Sequence, residues 1–321
     1  DGTASILLEP QSTNLVTYSE DFSDASWGLG NVADTITTNT INSPDGVQNA
    51  YTFTAGTSVY SSLYQSVTTV IGTNYTASLF AKKGNQNNLS FELRGSGTTP
   101  SITFDLNNGT ITSGSGGTIE YYGNGWYRCT LTQVATLTTS IFIISRGVNG
   151  DVGDTFNIYG AQVEQQSYAT SYIPTNGAIS TRLQDAAFGA GSSDLISSTE
   201  GTLYAEIAAL SDDLTFRTIT LSDGTISNNV GFGYRNNSNV IYTFLQGVIN
   251  SSSEVTVSNI TDFNKVAIKI KSGDYAMWIN GVEVYTNATT FTLNGLSEVS
   301  FDNGSGAADF YGKCKSVAVF S

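Results

Sequence analysis

The sequence predicts an all-β protein built from two tandem β-sandwich domains of the jelly-roll type. Its 321 residues suffice for two domains that each bury a core. Only 12% of the residues are charged, and Thr, Ser, Asn and Gly are abundant, a composition that favours strands joined by tight turns. Short segments alternate apolar and polar residues with a period of two, and Asn-Gly pairs separate several of them.

The first predicted domain contains about eight strands with one apolar and one polar face each. In NYTASLFAKKG, Tyr75, Ala77 and Leu79 share one face, whereas Phe80 and Lys82 lie on the other. The segments NLSFELRG, SITFDLNNGTI, EYYGNGWYRCTLT and SIFIISR continue this alternation. Because no segment shows helical periodicity, two packed sheets are predicted.

The stretch TFNIYGAQVEQQSYATSYIPTNGAISTR closes the first half of the chain. Its strand ends before Pro174, which has no amide hydrogen to donate. We therefore assign residues 1–178 to the first sandwich. Residues 179–199, which are small, polar and without clear periodicity, are assigned to a linker.

The second predicted domain covers residues 200–321 and again consists of short alternating strands. They are GTLYAEIAA, FRTITLSDG, NVGFGYRN, NVIYTFLQG, KVAIKIKSG, the hairpin YAMWINGVEVYTN and the closing ADFYGKCKSVAVFS. Cys129 and Cys314 share the parity of neighbouring apolar residues, which predicts two buried thiols without a disulfide.

Charge and composition exclude several classes of function. Lys and Arg total 13 against 27 Asp and Glu, and a net charge of −14 repels nucleic acid. No apolar run approaches the length of a membrane span, so we expect no membrane insertion. Because the chain begins with Asp1, we expect it to be a fragment or a mature product.

The absence of histidine from the sequence removes the commonest general base and the usual zinc ligand sets. A pair of carboxylates still suffices for glycoside hydrolysis. Glu298 and Asp302 do not match the acid spacing of concanavalin-like glucanases. We therefore predict that the protein is not an enzyme.

The first half resembles a known family. The ordered motifs NLVTYSEDFSDASW, LFAKKG, FDLNNGTI, GNGWYRCTLT and IYGAQVEQQSYATSYIPTNGAISTR are similar to the carbohydrate-binding-module-like domain of phage tail-fibre and head-spike proteins. More distantly, this half resembles jelly-roll sugar-binding modules of xylanases and glucanases. Those modules often hold a structural calcium between the opening loop and the last strand.

The distant resemblance implies a calcium site. Its candidate ligands are Glu20, Asp21 and Asp24 in the opening loop and Glu164 on the last strand. However, the last strand reads Gly-Ala-Gln where those modules carry an acidic pair. A solvated acidic loop is therefore the alternative.

The second half resembles concanavalin-like lectin and laminin-G sandwich domains. The similarity rests on EGTLYAE, DFNKVAIK, WINGVEV and FYGKCKSVAVF in this order. Such domains commonly follow the first module in phage tail proteins.

Carbohydrate binding requires flat aromatic faces with amides and charged groups nearby. The sequence offers three sets of candidates. They are one sheet face with Phe80, Lys82, Glu92 and Arg94 if their strands are neighbours, the loop residues Tyr121 and Tyr122, and Tyr234, Arg235 and Trp278 of the second domain. The alternatives are an ordinary polar face, a surface covered by a neighbouring subunit and, for Trp278, packing between the domains.

These observations predict a non-catalytic phage fibre or adhesin component at the virion surface that binds host cell-surface or matrix polysaccharide. The resemblance implies other virion proteins as partners and a homotrimer, although the sequence has no coiled-coil heptads. Two alternatives stay open. One is a structural decoration or assembly protein without sugar binding, and the other is a binding appendage of a secreted polysaccharide-degrading enzyme.

Overall fold

A computed structural model describes residues 4–57, 60–95, 101–146, 150–246 and 248–321, with the backbone alone for residues 248–252. All regular secondary structure in these ranges is β-strand, which confirms the predicted all-β class. Within the same ranges, no helix has the length and hydropathy needed to cross a membrane.

The chain forms two compact units. The N-terminal unit comprises Gln11–Leu183, and the C-terminal unit comprises Asp1–Pro10 together with Gln184–Ser321. The strands in chain order are β1 Ile6–Leu8, β2 Ser12–Asn14, β3 Gly28–Leu29, β4 Thr35–Ile41, β5 Ala50–Thr54, β6 Ser62–Thr68, β7 Asn74–Lys83, β8 Asn88–Arg94, β9 Ser101–Asp105, β10 Thr110–Ser113, β11 Ile119–Gly123, β12 Trp126–Val134, β13 Thr139–Ser145, β14 Thr155–Glu164, β15 Ser180–Arg182, β16 Glu200–Ala209, β17 Arg217–Ser222, β18 Asn229–Tyr234, β19 Val240–Leu245, β20 Val248–Thr256, β21 Asn264–Lys271, β22 Tyr275–Ile279, β23 Val282–Asn287, β24 Glu298–Ser300 and β25 Gly312–Phe320.

Two antiparallel sheets pack face to face in the N-terminal unit. Sheet I has the strand order β11-β12-β7-β14-β5-β4, and sheet II has the order β10-β9-β8-β13-β6-β3. Alternate residues of both sheets, such as Leu79 and Phe91, meet in one core and are fully buried. We call the opposite side of each sheet its outer face. The alternation in the sequence forms these strands because an amphipathic strand buries every second side chain.

The C-terminal unit is a second sandwich. Sheet III has the strand order β1-β25-β16-β21-β22-β23, and sheet IV has the order β20-β19-β18-β17-β24. Residues such as Ile268 and Phe232 from the facing sides fill its core. Both predicted thiols are buried and unpaired: Cys129 lies in the core of the N-terminal unit and Cys314 in that of the C-terminal unit.

The segments outside the predicted domains take part in these sheets. Strand β1 pairs with β25, with Ile6 opposite Cys314, so the first residues belong to the C-terminal unit and not to the first sandwich as expected. In the predicted linker, β15 pairs with β2, and Ala190 forms a bridge with Val299. These parts of the predicted linker therefore form backbone hydrogen bonds within the two units.

Candidate functional site

An aromatic cluster lies on the outer face of sheet I. The register places Phe80 of β7 opposite Tyr159 of β14, and Trp126 of β12 lies on the same face. The Phe80 ring centroid lies 6.2 Å from that of Tyr159 and 4.9 Å from that of Tyr122. The side chains of Phe80, Trp126 and Tyr159 are only 4%, 1% and 6% exposed. The cluster is thus a second small core.

Two segments of the same unit cover this cluster. From residues 41–49, the Asn42 carbonyl accepts a hydrogen bond from the Trp126 indole nitrogen at 3.0 Å. From residues 166–175, Tyr172 stacks edge-on against Phe80, with ring centroids 6.1 Å apart. Gly160 has a φ of 64°, and a Cβ there would lie 3.0 Å from the Phe80 ring and 3.2 Å from the Tyr172 ring. Glycine at this position therefore permits the covering segment to approach the strand.

Two carboxylates face the hydroxyl of Tyr159. Glu20 Oε1 and Asp45 Oδ2 each lie 3.0 Å from the Tyr159 oxygen, which has a single hydrogen to donate. Burial, with the hydrogen bond to Asp45, raises the pKa of Tyr159. Burial alone would raise the pKa of Asp45. Hydrogen bonds from Ser43, the Val47 N–H group and Tyr159 together outweigh this effect, so the pKa of Asp45 is lowered overall. The geometry holds an ionised carboxylate against a neutral phenol.

The four predicted calcium ligands do not meet in one group. Glu164 is fully buried and accepts hydrogen bonds from Ser12 Oγ at 2.6 Å and from the Thr170 amide at 3.0 Å. Asp21 accepts from Ser23, and this hydrogen bond contributes most to lowering its pKa. Asp24 accepts from the Ser26 amide at 2.8 Å.

The structure does not bring Glu164 to the acids of the opening loop, because Ser12 and Thr170 take up its carboxylate. Across the described ranges, no group of three or more Asp, Glu, Cys or His side chains has the arrangement of a metal site. The four predicted ligands therefore do not form a shared calcium site in this structure. Calcium binding by the protein stays a prediction.

The predicted sheet face with Phe80, Lys82, Glu92 and Arg94 is not continuous. Strand β7 belongs to sheet I and β8 to sheet II, so Glu92 and Arg94 lie on the opposite side of the sandwich from Phe80. The chain crosses between the sheets after β7, which the alternation within each strand does not reveal. Arg94 Nε contacts Glu92 Oε1 at 2.8 Å, so these two charges satisfy each other.

The loop tyrosines are exposed but do not form one platform. Tyr121 is 62% exposed and Tyr122 is 50% exposed. Tyr121 packs on Tyr127, whereas Tyr122 packs on Phe80, because consecutive residues of a strand point to opposite faces. Of the two, Tyr122 borders the covered cluster.

Tyr234 and Arg235, the other two candidates of the second domain, do not share an exposed surface with Trp278. Tyr234 is 1% exposed and stacks on Phe310 in the core, because it shares the parity of Phe232. The neighbouring Arg235 binds Glu254 at 2.8 Å and lies 4.5 Å from the centre of the Phe216 ring.

Trp278 belongs to a row of side chains across the outer face of sheet III. The register aligns Ala318 of β25, Tyr204 of β16, Ala267 of β21, Trp278 of β22 and Glu283 of β23. Cross-strand partners share a face, so all five point away from the core. The first four are partly exposed, and Glu283 is exposed. We call Tyr204, Ala267 and Trp278 the aromatic row.

The aromatic row places two partly exposed aromatic side chains on one sheet face. Ala267 separates Tyr204 from Trp278, so their backbones lie two strand spacings apart, about 10 Å. Within the described part of the chain, the Trp278 indole N–H has no hydrogen-bond partner, in contrast to that of Trp126. Sequence reasoning missed Tyr204 as a site residue, although its alternation with Leu203 and Ala205 places it on the outer face.

A pocket of about 310 Å³ lies in the C-terminal unit. Its lining residues are Thr243, Phe244, Leu245, Gln246, Ser253, Tyr275, Tyr285, Asn287, Thr289, Thr290 and Phe291. The Tyr275 hydroxyl is hydrogen bonded to Thr243, and burial raises its pKa, so this wall is part of the packed core. The sequence patterns did not indicate this pocket.

Comparisons with known proteins identify no family. No protein-family description and no curated protein matches the chain. Among solved structures, the extracellular region of zebrafish Gpr126/Adgrg6 aligns at 12% identity and a TM-score of 0.31, covering 89% of this chain and 35% of that chain. The enzymatically active domain of bacteriophage CBA120 tailspike protein 4 aligns at 15% identity and a TM-score of 0.29, covering 47% and 21%.

Mouse laminin α1 domains LG4–5 align at 9% identity and a TM-score of 0.28, covering 80% of this chain and 85% of that chain. The chain thus spans about a third and a fifth of the lengths of the first two structures. Similarity at this level assigns no function to the chain.

Proposed function

We propose that this protein is a non-catalytic adhesin that binds polysaccharide on the outer face of sheet III. The observation that carries the proposal is the aromatic row, in which Tyr204 and Trp278 are partly exposed on either side of Ala267. Aromatic rings held by a rigid sheet offer flat apolar surfaces to the apolar faces of sugar rings. Because Ala267 is small, an extended chain of sugars can lie across the row and contact both rings.

Polar groups beside the row suit sugar hydroxyls. The Trp278 indole N–H is a donor that the described residues leave free, and the Glu283 carboxylate next to it is an acceptor. Thr202 and Lys269 face each other in the adjoining row on the same face. This combination of stacking surfaces with a few polar groups is typical of carbohydrate recognition.

The finer proposal is a component of a phage fibre at the virion surface that attaches to host polysaccharide. The resemblance of the sequence motifs in the first half to those of phage tail-fibre domains supports it. An open sheet face buries little of its ligand, so a single site binds weakly. Several copies on one particle, as in a homotrimer joined to other virion proteins, raise the avidity by orders of magnitude.

Binding measurements with two substitutions test the adhesin proposal. Trp278→Ala and Tyr204→Ala each remove one stacking surface and are expected to weaken polysaccharide binding by roughly tenfold, about 1.4 kcal/mol. Tyr121→Ala removes an exposed tyrosine of the N-terminal unit and is the matched control. The assay is isothermal calorimetry against polysaccharides first retained in a pull-down screen. Unchanged affinity in both row variants would overturn the proposal.

A second candidate function is assembly with further copies of this chain through the N-terminal unit. Val70 and Ile71, between β6 and β7, and Val134 and Leu137, at and just after the end of β12, are 44–60% exposed. The Gly72 amide and the Ala135 carbonyl join these two segments by a hydrogen bond of 2.8 Å. Exposed apolar side chains grouped in this way favour a protein partner. If Ile71→Asp with Leu137→Asp leaves the mass in solution unchanged, this candidate fails.

A further inference from the structure

We propose that the polysaccharide bound by sheet III is anionic and carries carboxylate or sulfate groups on its sugar rings. This inference rests on the proposed function and adds the class of ligand. Its basis is the distribution of lysine in a protein whose net charge is −14. Five of the seven lysines lie on two strands of this sheet: Lys265, Lys269 and Lys271 on β21, and Lys313 and Lys315 on β25.

These lysines point to the same side as the aromatic row. On β21 they alternate with Val266, Ile268 and Ile270, which are at most 1% exposed and fill the core. On β25, Lys313 and Lys315 flank Cys314, which is 2% exposed. The outer face therefore carries five of the seven lysines of the chain, together with the acids Glu200, Glu206 and Glu283.

Within the described ranges, two of the five ammonium groups lie beyond ion-pair distance of an acid, although Glu206 stands opposite Lys265 in the strand register. Lys269 pairs with Asp274, Lys271 with Glu200 and Lys315 with Glu206, at 2.6, 3.0 and 3.3 Å. In the described part of the chain, Lys265 and Lys313 form no ion pair. A strongly acidic protein repels an anionic ligand unless local cations offset that field.

The lysines flank the aromatic row on both sides. Lys265 and Lys269 stand two residues before and after Ala267 on the same strand, about 7 Å from it along the backbone. On the next strand but one, Lys315 Nζ lies 4.0 Å from the centre of the Phe263 ring, which holds this ammonium group over the face.

A sugar chain that stacks on Tyr204 and Trp278 therefore has ammonium groups along both of its edges. Acidic substituents project from the edges of sugar rings, not from the faces that stack. The combination of a stacking row with flanking lysines favours an acidic polysaccharide over a lipid surface, which offers no ring faces to the row.

The test compares polygalacturonate, dextran sulfate and neutral dextran as probes in calorimetry between low and physiological NaCl concentrations. We expect the full chain to bind one or both anionic probes, with affinity that falls as salt rises, and to bind dextran far more weakly. Polygalacturonate against dextran sulfate distinguishes carboxylate from sulfate recognition.

The variant Lys265→Gln/Lys313→Gln removes the two unpaired charges and is expected to weaken anionic binding by about tenfold at low salt. Lys83→Gln/Arg94→Gln removes the same net charge from the N-terminal unit and is the matched control, expected to bind as the unmodified chain does. Thermal unfolding of both variants checks that each is folded.

The outcomes separate this inference from the proposed function. If dextran binds as tightly as the anionic probes and the lysine variant is unchanged, while Trp278→Ala abolishes binding, the face binds neutral sugars and the charge inference is wrong. If both double variants weaken binding equally, net charge rather than this face is responsible, and the inference is also wrong. Retention by vesicles of anionic lipid without retention by any polysaccharide overturns both proposals.

Discussion

The outer faces of sheets I and III carry similar side chains but differ in what lies over them. Sheet I presents Phe80, Trp126 and Tyr159, and sheet III presents Tyr204 and Trp278. Residues 41–49 and 166–175 close the first face, whereas the row on sheet III stays partly exposed. Aromatic side chains on the outer face of a sandwich are therefore either covered or left partly exposed according to the segments beside them.

The outer faces of sheets I and III also differ in how their polar atoms are hydrogen bonded. The indole of Trp126 donates to the Asn42 carbonyl, and the hydroxyl of Tyr159 faces two carboxylates. The polar atoms of this face are satisfied internally, as buried polar groups must be. On sheet III, the Trp278 N–H has no hydrogen-bond partner among the residues that the structure describes. The next predictions either sharpen or break this comparison.

The largest expected effect is that of Trp126→Ala. Truncation of a buried tryptophan leaves a cavity, and we expect the free energy of unfolding of the N-terminal unit to fall by about 3–5 kcal/mol. Trp278→Ala, on the open face, is expected to cost roughly 1 kcal/mol or less. Denaturant unfolding monitored by circular dichroism, or thermal unfolding measured by calorimetry, determines both losses. Similar losses for the two tryptophans would show that the faces do not differ as described.

Gly160→Ala comes second. An alanine at the φ of 64° costs about 1–2 kcal/mol from backbone strain alone, and its Cβ crowds Phe80 and Tyr172. Gly295→Ala is the matched control, because Gly295 has a φ of 65° and open space around its Cβ position. We expect Gly160→Ala to lower the free energy of unfolding more than the control does. Equal losses would mean that the covering segment does not need a close approach.

Tyr122→Ala tests the exposed border of the covered cluster. The ring stacks edge-on against Phe80 and is half-exposed, so we expect a loss of about 0.5–1.5 kcal/mol in the free energy of unfolding. Polysaccharide affinity is expected to stay unchanged. A loss of affinity as large as that of Trp278→Ala would make the rim of sheet I a binding surface too, and the comparison would fail.

The smallest effect is a pH dependence confined to the covered face. Because the pKa of Asp45 is lowered below 3.8 in the folded state, its ionised form stabilises that state. This contribution is present above pH 3.8 and is lost as the pH falls through the folded pKa. Unfolding of the unmodified chain and of Asp45→Asn should therefore differ at pH 7, and the difference should shrink as the pH falls below 3.8, the upper limit of the transition. A difference that persists unchanged in acid contradicts this assignment.

Alternation in the sequence predicted much of the fold but less of the site. It placed Leu79 and Val266 in the cores and Trp278 on an outer face, as the structure has them. It also placed Phe80 on an outer face, which is correct, yet the burial of Phe80 depends on residues 166–175, far along the chain. Period-two patterns report which side of its own strand a residue occupies, not which strands are neighbours or what covers them.

In the order of the chain, the residues of the N-terminal unit come between β1 and the other strands of sheet III. A fragment that begins at residue 200 lacks Ile6–Leu8 and leaves the backbone groups of β25 without their partner strand, an edge that invites aggregation. A circular permutant that carries residues 4–10 behind residue 321 through a flexible spacer restores that strand to a separate C-terminal sandwich. Because β1 belongs to sheet III, a C-terminal domain that folds separately must include this strand.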